Sequence, residues 1–473
     1  VVFLAFDAET KEPAKLVVLN ARTQREVWKK LSVYDATLGK TFHFSAISTP
    51  AIGNLDADPQ AEICVVSLGY EYVPNVSTLV RSVACLDGET GALEWVSELD
   101  EQAYGAAITL ADLDQDGQSE VILGNRVLSG VDGTTLAQGA DGDPMGGWGY
   151  AEQSFNSTYD YANAVSVATQ LDDGNLELIA AGAIYTYEVN AGVASLTRLS
   201  ITDGSNDEGF AAVADIDLDG EPEIVHTVYV MEGDFQSAGS VRILDRVGGI
   251  WRVADEIPFY EHIVQGSSGV PADWYTSTAT ETPGARLRTG PPTIANLDDD
   301  PEPEIAVAGA DYYQVIDVDI STGLPTLAHK WQRASSDTTS ASTGSSVFDF
   351  EADGVSEIVY ADQDELFIFD GPTGTDRIVS ADFDPTEHCS GTALELPVIV
   401  DADNDGASEI LISSNLPTGE SWQYFDRDCQ GDYWQGVRML QSASDDGLGN
   451  GWAPSRPVWN QHAYNIVNVA DDS

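Results

Sequence analysis

The stretch Asp112-Leu-Asp-Gln-Asp-Gly-Gln-Ser-Glu120 places carboxylates at positions 1, 3, 5 and 9 of a nine-residue loop. Gly117 stands at position 6, and the apolar run Val121-Ile122-Leu123 follows at once. Alternating acids let one tight turn aim every second side chain at a common centre. Hard oxygen donors in that number suit Ca²⁺, which takes six to eight oxygens at about 2.3–2.6 Å. The main-chain carbonyl of Gln118, at position 7, is a further expected ligand. The loop closes at position 9 and runs into a strand, whereas the helix-flanked calcium loop closes at position 12.

A lone acidic Asp-Gly cluster is ordinarily a solvated turn. Here the pattern recurs. It returns as Asn54, Asp56, Asp58 and Glu62, and as Asp215, Asp217, Asp219 and Glu223. Three further copies are Asn296, Asp298, Asp300 and Glu304; Asp349, Glu351, Asp353 and Glu357; and Asp401, Asp403, Asp405 and Glu409. The position-7 carbonyls of these loops belong to Gln60, Glu221, Glu302, Val355 and Ala407. A degenerate copy, Gln170-Leu-Asp-Asp-Gly-Asn-Leu-Glu177, lacks one residue and its first acid, and is expected to hold no ion. The closing Glu residues, 62, 120, 177, 223, 304, 357 and 409, are spaced by 58, 57, 46, 81, 53 and 52. Periods near 50 mark stacked repeats or propeller blades.

The elements around each loop repeat as well. A short apolar strand leads in, as in Ser48–Gly53, and a second leads out, as in Glu62–Ser67. A hairpin follows, as in Ser82–Trp95, with turns rich in Gly, Asp and Asn. Four strands per unit of about 50 residues predicts an all-β chain folded as a β-propeller. Residues 1–473 read as one such domain, with repeats beginning near 54, 112, 170, 215, 296, 349 and 401. Val1–Phe6 reads as a strand that normally follows an acidic loop, and Ala463–Ser473 as a strand running into the start of one. Residues 455–473 are thus expected to close a mixed blade with residues 1–34, giving eight blades. If the C-terminal strand docks elsewhere, the count is seven.

In tandem, Asp-x-Asp-x-Asp-Gly-x-x-Glu followed by an apolar strand resembles the FG-GAP or VCBS repeats of integrin α-chain-type calcium-binding β-propellers. The resemblance covers nearly the whole chain. It implies one Ca²⁺ in each intact loop, about six in all, held by positions 1, 3, 5, 7 and 9. Two loops depart from it: Pro59 and Pro301 replace the position-6 glycine and forbid a positive φ there. Arg456–Tyr464 is similar to a segment that ends such propellers in large bacterial surface proteins, which implies that the chain is a segment of a longer one.

Seventy-eight acids face 21 bases, a net charge of −57. That excludes nucleic acid as a natural partner, since binding requires basic side chains to neutralise phosphates. No run approaches the roughly 20 apolar residues of a membrane span. Bound cations would offset only part of the charge, so the rest is a solvated acidic surface. Lys occurs only six times. Cys64 and Cys85 lie on successive strand-like runs of one repeat, and Cys389 and Cys429 flank the last acidic loop. Neither pair has zinc spacing, and both are expected as disulfides of an exported protein.

Blade geometry assigns the acidic loops and the short hairpin turns to one face. Length variation falls on the other, at Gly69–Val80, Gln138–Ala162, Met231–Gly239, Pro258–Pro292 and Ala334–Ser346. Trp148, Tyr150 and Tyr159, with Trp274 and Tyr275, are candidate contacts to a glycan or protein ligand on that face. The expectation is a secreted, cell-surface-associated, calcium-stabilised adhesion, recognition or structural module of a bacterial surface protein. It would insert in no membrane and is open to self-association. The alternatives are a carbohydrate-active enzyme of polysaccharide-lyase type, for which Arg286 and Arg288 are the candidate bases, or a protomer of an extracellular filament. Leu86–Trp95 also resembles the Trp-bearing repeat of quinone-cofactor propellers, and Leu19–Trp28 does so faintly. The other hairpins are expected to lack that Trp, so these two read as ordinary blade hairpins.

Overall fold

Each closing glutamate begins a strand and pairs with the last residue of the strand before its loop. The registers are Gly53↔Glu62, Ala111↔Glu120, Thr169↔Glu177, Ala214↔Glu223, Ala295↔Glu304, Phe348↔Glu357 and Val400↔Glu409. Every acidic loop is therefore the turn of an antiparallel hairpin. The computed structural model describes the chain except for residues 8–11, 46–47, 57, 74–75, 100–104, 141–142, 148–162, 172–173, 203–206, 233–235, 260–288, 299, 310–311, 338–342, 379–389, 391–395, 415–435, 443–450, 457 and 460–473. The described residues form strands and turns, with no helix among them.

The unit built on Asp112 shows the plan. Thr109–Ala111, Glu120–Leu123, Arg126–Leu128 and Thr135–Gln138 form a four-stranded antiparallel sheet in chain order. The Asn296 unit repeats it with Thr293–Ala295, Glu304–Ala308, Tyr312–Asp319 and Thr326–Ala334. The Gln170 and Asp215 units each add a short parallel strand, Gly105–Ala107 and Ile201–Thr202. The Asp349 and Asp401 units show three strands among the described residues. At the N-terminus, Val2–Asp7, Glu12–Asn20 and Arg25–Lys30 form the strands expected for a unit without its leading strand.

Two features depart from the sequence-based expectation. Residues 32–44 form an additional hairpin, Ser32–Asp35 with Lys40–Phe44, which pairs with both the first and the Asn54 units and joins them into a nine-stranded sheet. Gly69–Val80 and Met231–Gly239, expected as variable loops, are continuations of ladders: Gly69 pairs with Val80 and Val73 with Val76, while Met231 pairs with Ser237. The first of these stretches carries strand-forming Val, Tyr and Thr residues that favour pairing over an open loop.

Units stack face to face because alternate residues of each outgoing strand serve opposite neighbours. Ile63 and Val65 pack with Leu16 of the first unit and Phe42 of the additional hairpin. Cys64 and Val66 pack with Ile108, Val121 and Leu128 of the Asp112 unit. Ile122 joins Leu178 and Tyr185 of the next unit. The same continues through Ile179 with Ile224, Val225 with Ile305, Ala306 with Ile358, and Val359 with Ile410. Leading strands of consecutive units also touch: Thr109 donates to the Ser166 carbonyl, Thr293 to that of Ser345, and Ser346 to that of Pro397.

Three tryptophans lock one unit to the next. The indole N–H of Trp28, Trp95 and Trp331 donates to the carbonyl of Gly88, Gly130 and Gly371. In each case that glycine opens the following unit's hairpin turn. A second glycine three residues on lies flat against the ring. A Cβ at Gly133 would stand 2.3 Å from Trp95, and one at Gly374 2.5 Å from Trp331. The hairpins of residues 87–91, 129–133 and 370–374 are therefore a repeated docking device. This corrects the expectation that the Trp-bearing repeat is confined to the early hairpins. Finally, Arg22, in the first unit, donates from Nε and Nη2 to the carbonyls of Asp403 and Asn404 in the last acidic loop, at 2.8 and 2.9 Å.

Candidate metal centres

Within each loop the closing glutamate is buried, and its Oε2 accepts the N–H of position 2. The donors are Leu55, Leu113, Leu171, Ile216, Leu297, Phe350 and Ala402. Apart from Ala402 these position-2 side chains are buried, so the loop is pinned by an apolar plug and a carboxylate cap together. The remaining loop acids fold inward by hydrogen bonds to main-chain N–H groups. Position 5 accepts from position 7, as in Asp116 from Gln118 and Asp219 from Glu221. Position 3 accepts from position 5, as in Asp56 from Asp58 and Asp298 from Asp300.

Position 6 divides the loops into two kinds. Where it is glycine, φ lies near +90° at Gly117, Gly220, Gly354 and Gly406. Its N–H donates to the first carboxylate, Asp112, Asp215, Asp349 or Asp401. Where it is proline, no N–H exists. There position 1 is asparagine, and its Nδ2 donates instead to the position-5 carbonyl: Asn54 to Asp58 and Asn296 to Asp300. The amide supplies the donor that the proline removes.

These turns bring carboxylate oxygens close enough to share an ion. Asp56, Asp58 and Glu62 form one group in which the oxygens lie within 4.8 Å of one another. Asp112, Asp114 and Glu120 form a second, Asp215, Asp217 and Glu223 a third, and Asp349, Glu351 and Glu357 a fourth. In the Asn296 unit Asp298, Asp300 and Glu304 are joined by Asp317, one residue beyond the Ile305↔Ile316 pair of the next two strands. The electrostatics match. Burial lifts Glu120 to about 7 and Glu223 to about 8, with the neighbouring loop carboxylates adding to the effect. Burial raises Glu62 and Glu409 in the same direction. Asp215 Oδ1, Asn296 Oδ1 and Asp403 Oδ1 are buried without a hydrogen-bond partner. Buried acceptors left unpaired and crowded carboxylates are both relieved by a hard cation. The donor set therefore fits a divalent metal ion.

Three contributors were not singled out in the sequence. Lys330 Nζ donates to Asp298, to Glu304 Oε1 at 2.9 Å and to Asp317 Oδ1 at 2.8 Å. Burial opposes its charge, but the three carboxylates hold the ammonium above its ordinary range. Arg377 bridges Glu357 and Glu351 in the Asp349 loop. Asp317 belongs to a pattern visible in retrospect, since Asp87 and Asp370 face Glu62 and Glu357, and Asp245 follows the Ile224↔Leu244 pair next to Glu223.

Cys64 and Cys85 are bonded across facing positions of adjacent strands, with Cα atoms 4.1 Å apart. Cys389 and Cys429 lie outside the described residues, as do Trp148, Tyr150, Tyr159, Trp274, Tyr275, Arg286 and Arg288. No helix among the described residues is long and apolar enough to cross a membrane.

No protein-family profile matches the chain, and no curated protein matches its sequence. Among solved structures it is similar to the V. cholerae biofilm matrix protein Bap1, with a TM-score of 0.59 at 18% identity, over 99% of this chain and 91% of that one. It is also similar to BamB from Moraxella catarrhalis, with a TM-score of 0.40 at 14% identity, over 87% and 92% of the two chains. The rhamnogalacturonan lyase YesW follows with a TM-score of 0.27 at 13% identity, over 91% and 57%. The first likeness is one of fold alone, and the other two are looser.

Proposed function

We propose that the chain is a calcium-stabilised, eight-bladed β-propeller that serves outside the cell as a recognition or scaffolding module of a bacterial surface or matrix. Eight units follow one another, beginning with the N-terminal one, and the contact of Arg22 with Asp403 and Asn404 supports a ring in which the last meets the first. The observation that carries the metal reading is the pair of buried carboxylate oxygens left without partners in the loops, Asp215 Oδ1 and Asp403 Oδ1. Ca²⁺ is the ion of choice because the ligands are all oxygen, numerous and carried on a turn able to adjust its bite. An extracellular setting is supported by the Cys64–Cys85 disulfide, since such bonds persist in oxidising compartments. The fold likeness to a biofilm matrix protein points the same way.

Calcium binds only the native state and so adds stability that grows with its concentration. Melting in millimolar calcium and again in excess chelator tests this. The midpoint is expected to fall on chelation, and an unchanged midpoint sinks the metal reading. Recognition is tested by co-sedimentation with isolated bacterial exopolysaccharide and with whole cells. Trp148→Ala or Trp274→Ala should weaken that binding and leave the calcium-dependent melting intact. If the intact protein binds neither material, the recognition role is wrong.

A further inference from the structure

We propose that two of the six loops are neutralised by the chain's own cations. Lys330 takes the ion position in the Asn296 loop and Arg377 spans the Asp349 loop, so divalent ions load only the Asn54, Asp112, Asp215 and Asp401 loops. This rests on the calcium reading above and specifies where it applies.

Lys330 sits at a bulge of the fourth strand, the extra residue between His329, which pairs with Ile316, and Trp331, which pairs with Val315. The same bulge recurs in other units. Its extra residue is Glu94 in the Asn54 unit, Leu136 in the Asp112 unit and Ala254 in the Asp215 unit. One slot beside the loop thus holds an acid, two apolar residues and a lysine. Glu94 adds negative charge beside Asp56 and Asp58. Lys330 has the opposite effect. Its three N–H bonds all go to carboxylates, from Asp298 in the loop, Glu304 at its close and Asp317 across the sheet. A divalent ion entering that cluster would meet an ammonium within hydrogen-bond distance of the same oxygens. Lys330 is also the sole lysine after residue 40, in a chain with 78 acids to neutralise. The ammonium offers only three donors, so Asn296 Oδ1 stays unpartnered, a smaller cost for a neutral amide than for a carboxylate.

Arg377 does the same work with different geometry. Its Nη1 pairs with Glu357 and its Nη2 with Glu351 Oε1 at 3.2 Å, joining two of the three carboxylates in that cluster. By contrast, in the Asp215 unit Arg252 pairs with Asp245 at 3.5 Å. In the Asp401 unit a neutral amide, Gln441, reaches the closing Glu409.

The two self-neutralised units are neighbours and share an aromatic interface. Tyr313 lies 4.7 Å from Tyr360, and Trp331 5.8 Å from Phe369. One arc of the molecule is therefore held without metal, and calcium removal loosens the rest.

Bound calcium per chain, measured by elemental analysis after gel filtration, tests this together with hydrogen exchange. Wild type is expected to hold four ions. Chelator should strip protection from Val121–Leu123 and Ile224–Val228 while Ile305–Val307 and Ile358–Tyr360 keep theirs. Lys330→Gln, which imitates Gln441, should gain one ion and make Ile305–Val307 sensitive to chelator; Lys330→Arg should keep the wild-type count. If wild type binds calcium and Lys330→Gln binds no more, or if chelator strips Ile305–Val307 in wild type, the inference is overturned and the calcium reading stands. The wild-type exchange data decide the matter even if the Gln variant fails to fold. If no form binds calcium, the calcium reading falls and takes this one with it.

Discussion

Asn54 with Pro59, and Asn296 with Pro301, are each one device written in two residues. The amide donates to the position-5 carbonyl in the two loops whose position 6 has no N–H, and a carboxylate accepts from the glycine N–H in the four that have one. Asn54→Asp should therefore cost about 1–2 kcal/mol in calcium-free buffer, because it leaves the Asp58 carbonyl without its donor and adds a charge. Pro59→Gly in the same chain should restore most of that loss. A double-mutant cycle by chemical denaturation measures the coupling, and additive effects would refute it. A second residue-scale expectation concerns Glu208, whose carboxylate accepts from Met145 and Gly146 and which burial lifts to about 7. A carboxyl raised on folding contributes stability below its unfolded value, near 4.5, and loses it as pH rises through about 7. Glu208→Gln should match wild type at pH 5 and exceed it by roughly 1–3 kcal/mol at pH 8. Parallel melting curves at the two pH values check this, and an equal offset at both would argue against it.

Among elements, the fourth strand and the next unit's hairpin turn carry the unit-to-unit contact. Trp95 reaches Gly130 with its indole N–H and lies on Gly133, which has φ +70°. Gly133→Ala meets both penalties, a side chain in the left-handed region and a Cβ inside the ring's contact distance. It should cost roughly 2 kcal/mol or more. Trp95→Phe should cost less, about 1–2 kcal/mol for the stranded Gly130 carbonyl. Urea unfolding of both variants orders the two effects, and a neutral Gly133→Ala would mean that the ring has room to move. The spacing of these glycines was plain in the sequence, but their partner was not. The turn of residues 129–133 meets a tryptophan some 35 positions earlier, in another sheet. Trp331 performs the same role in a hairpin whose sequence, Thr326–Ala334, otherwise differs from that of Leu93–Leu99.

For the whole molecule, the order of units along the chain is also their order in space, since each core is shared by consecutive units. The seam of the proposed ring lies where Arg22 meets the loop of Asp403 and Asn404. A guanidinium giving two bonds to carbonyls is worth about 1–3 kcal/mol when its partners have no substitute. Arg22→Ala should thus raise hydrogen exchange at Leu16–Val18 and at Ile410–Ile412 together, two segments far apart in sequence. Unchanged exchange in either segment would count against closure at this point.

What the chain determines locally was legible in it. Acids on alternate positions, a turn residue and a following apolar run dictate a hairpin turn, and Asp112–Glu120 folds as such with hydrogen bonds among its own residues. Repetition of that turn with apolar strands on both sides dictates an all-β stack. Tertiary structure decided what depends on residues remote in sequence. Lys330 and Asp317 enter the Asn296 loop from strands later in the unit, because a bulge turns one side chain toward the carboxylates. Glu94 occupies the same slot 236 positions earlier with the opposite charge, and only the register of the fourth strand makes the two equivalent. A nine-residue motif states the ligands it contributes; whether a cation from the chain already stands among them is settled where strands meet.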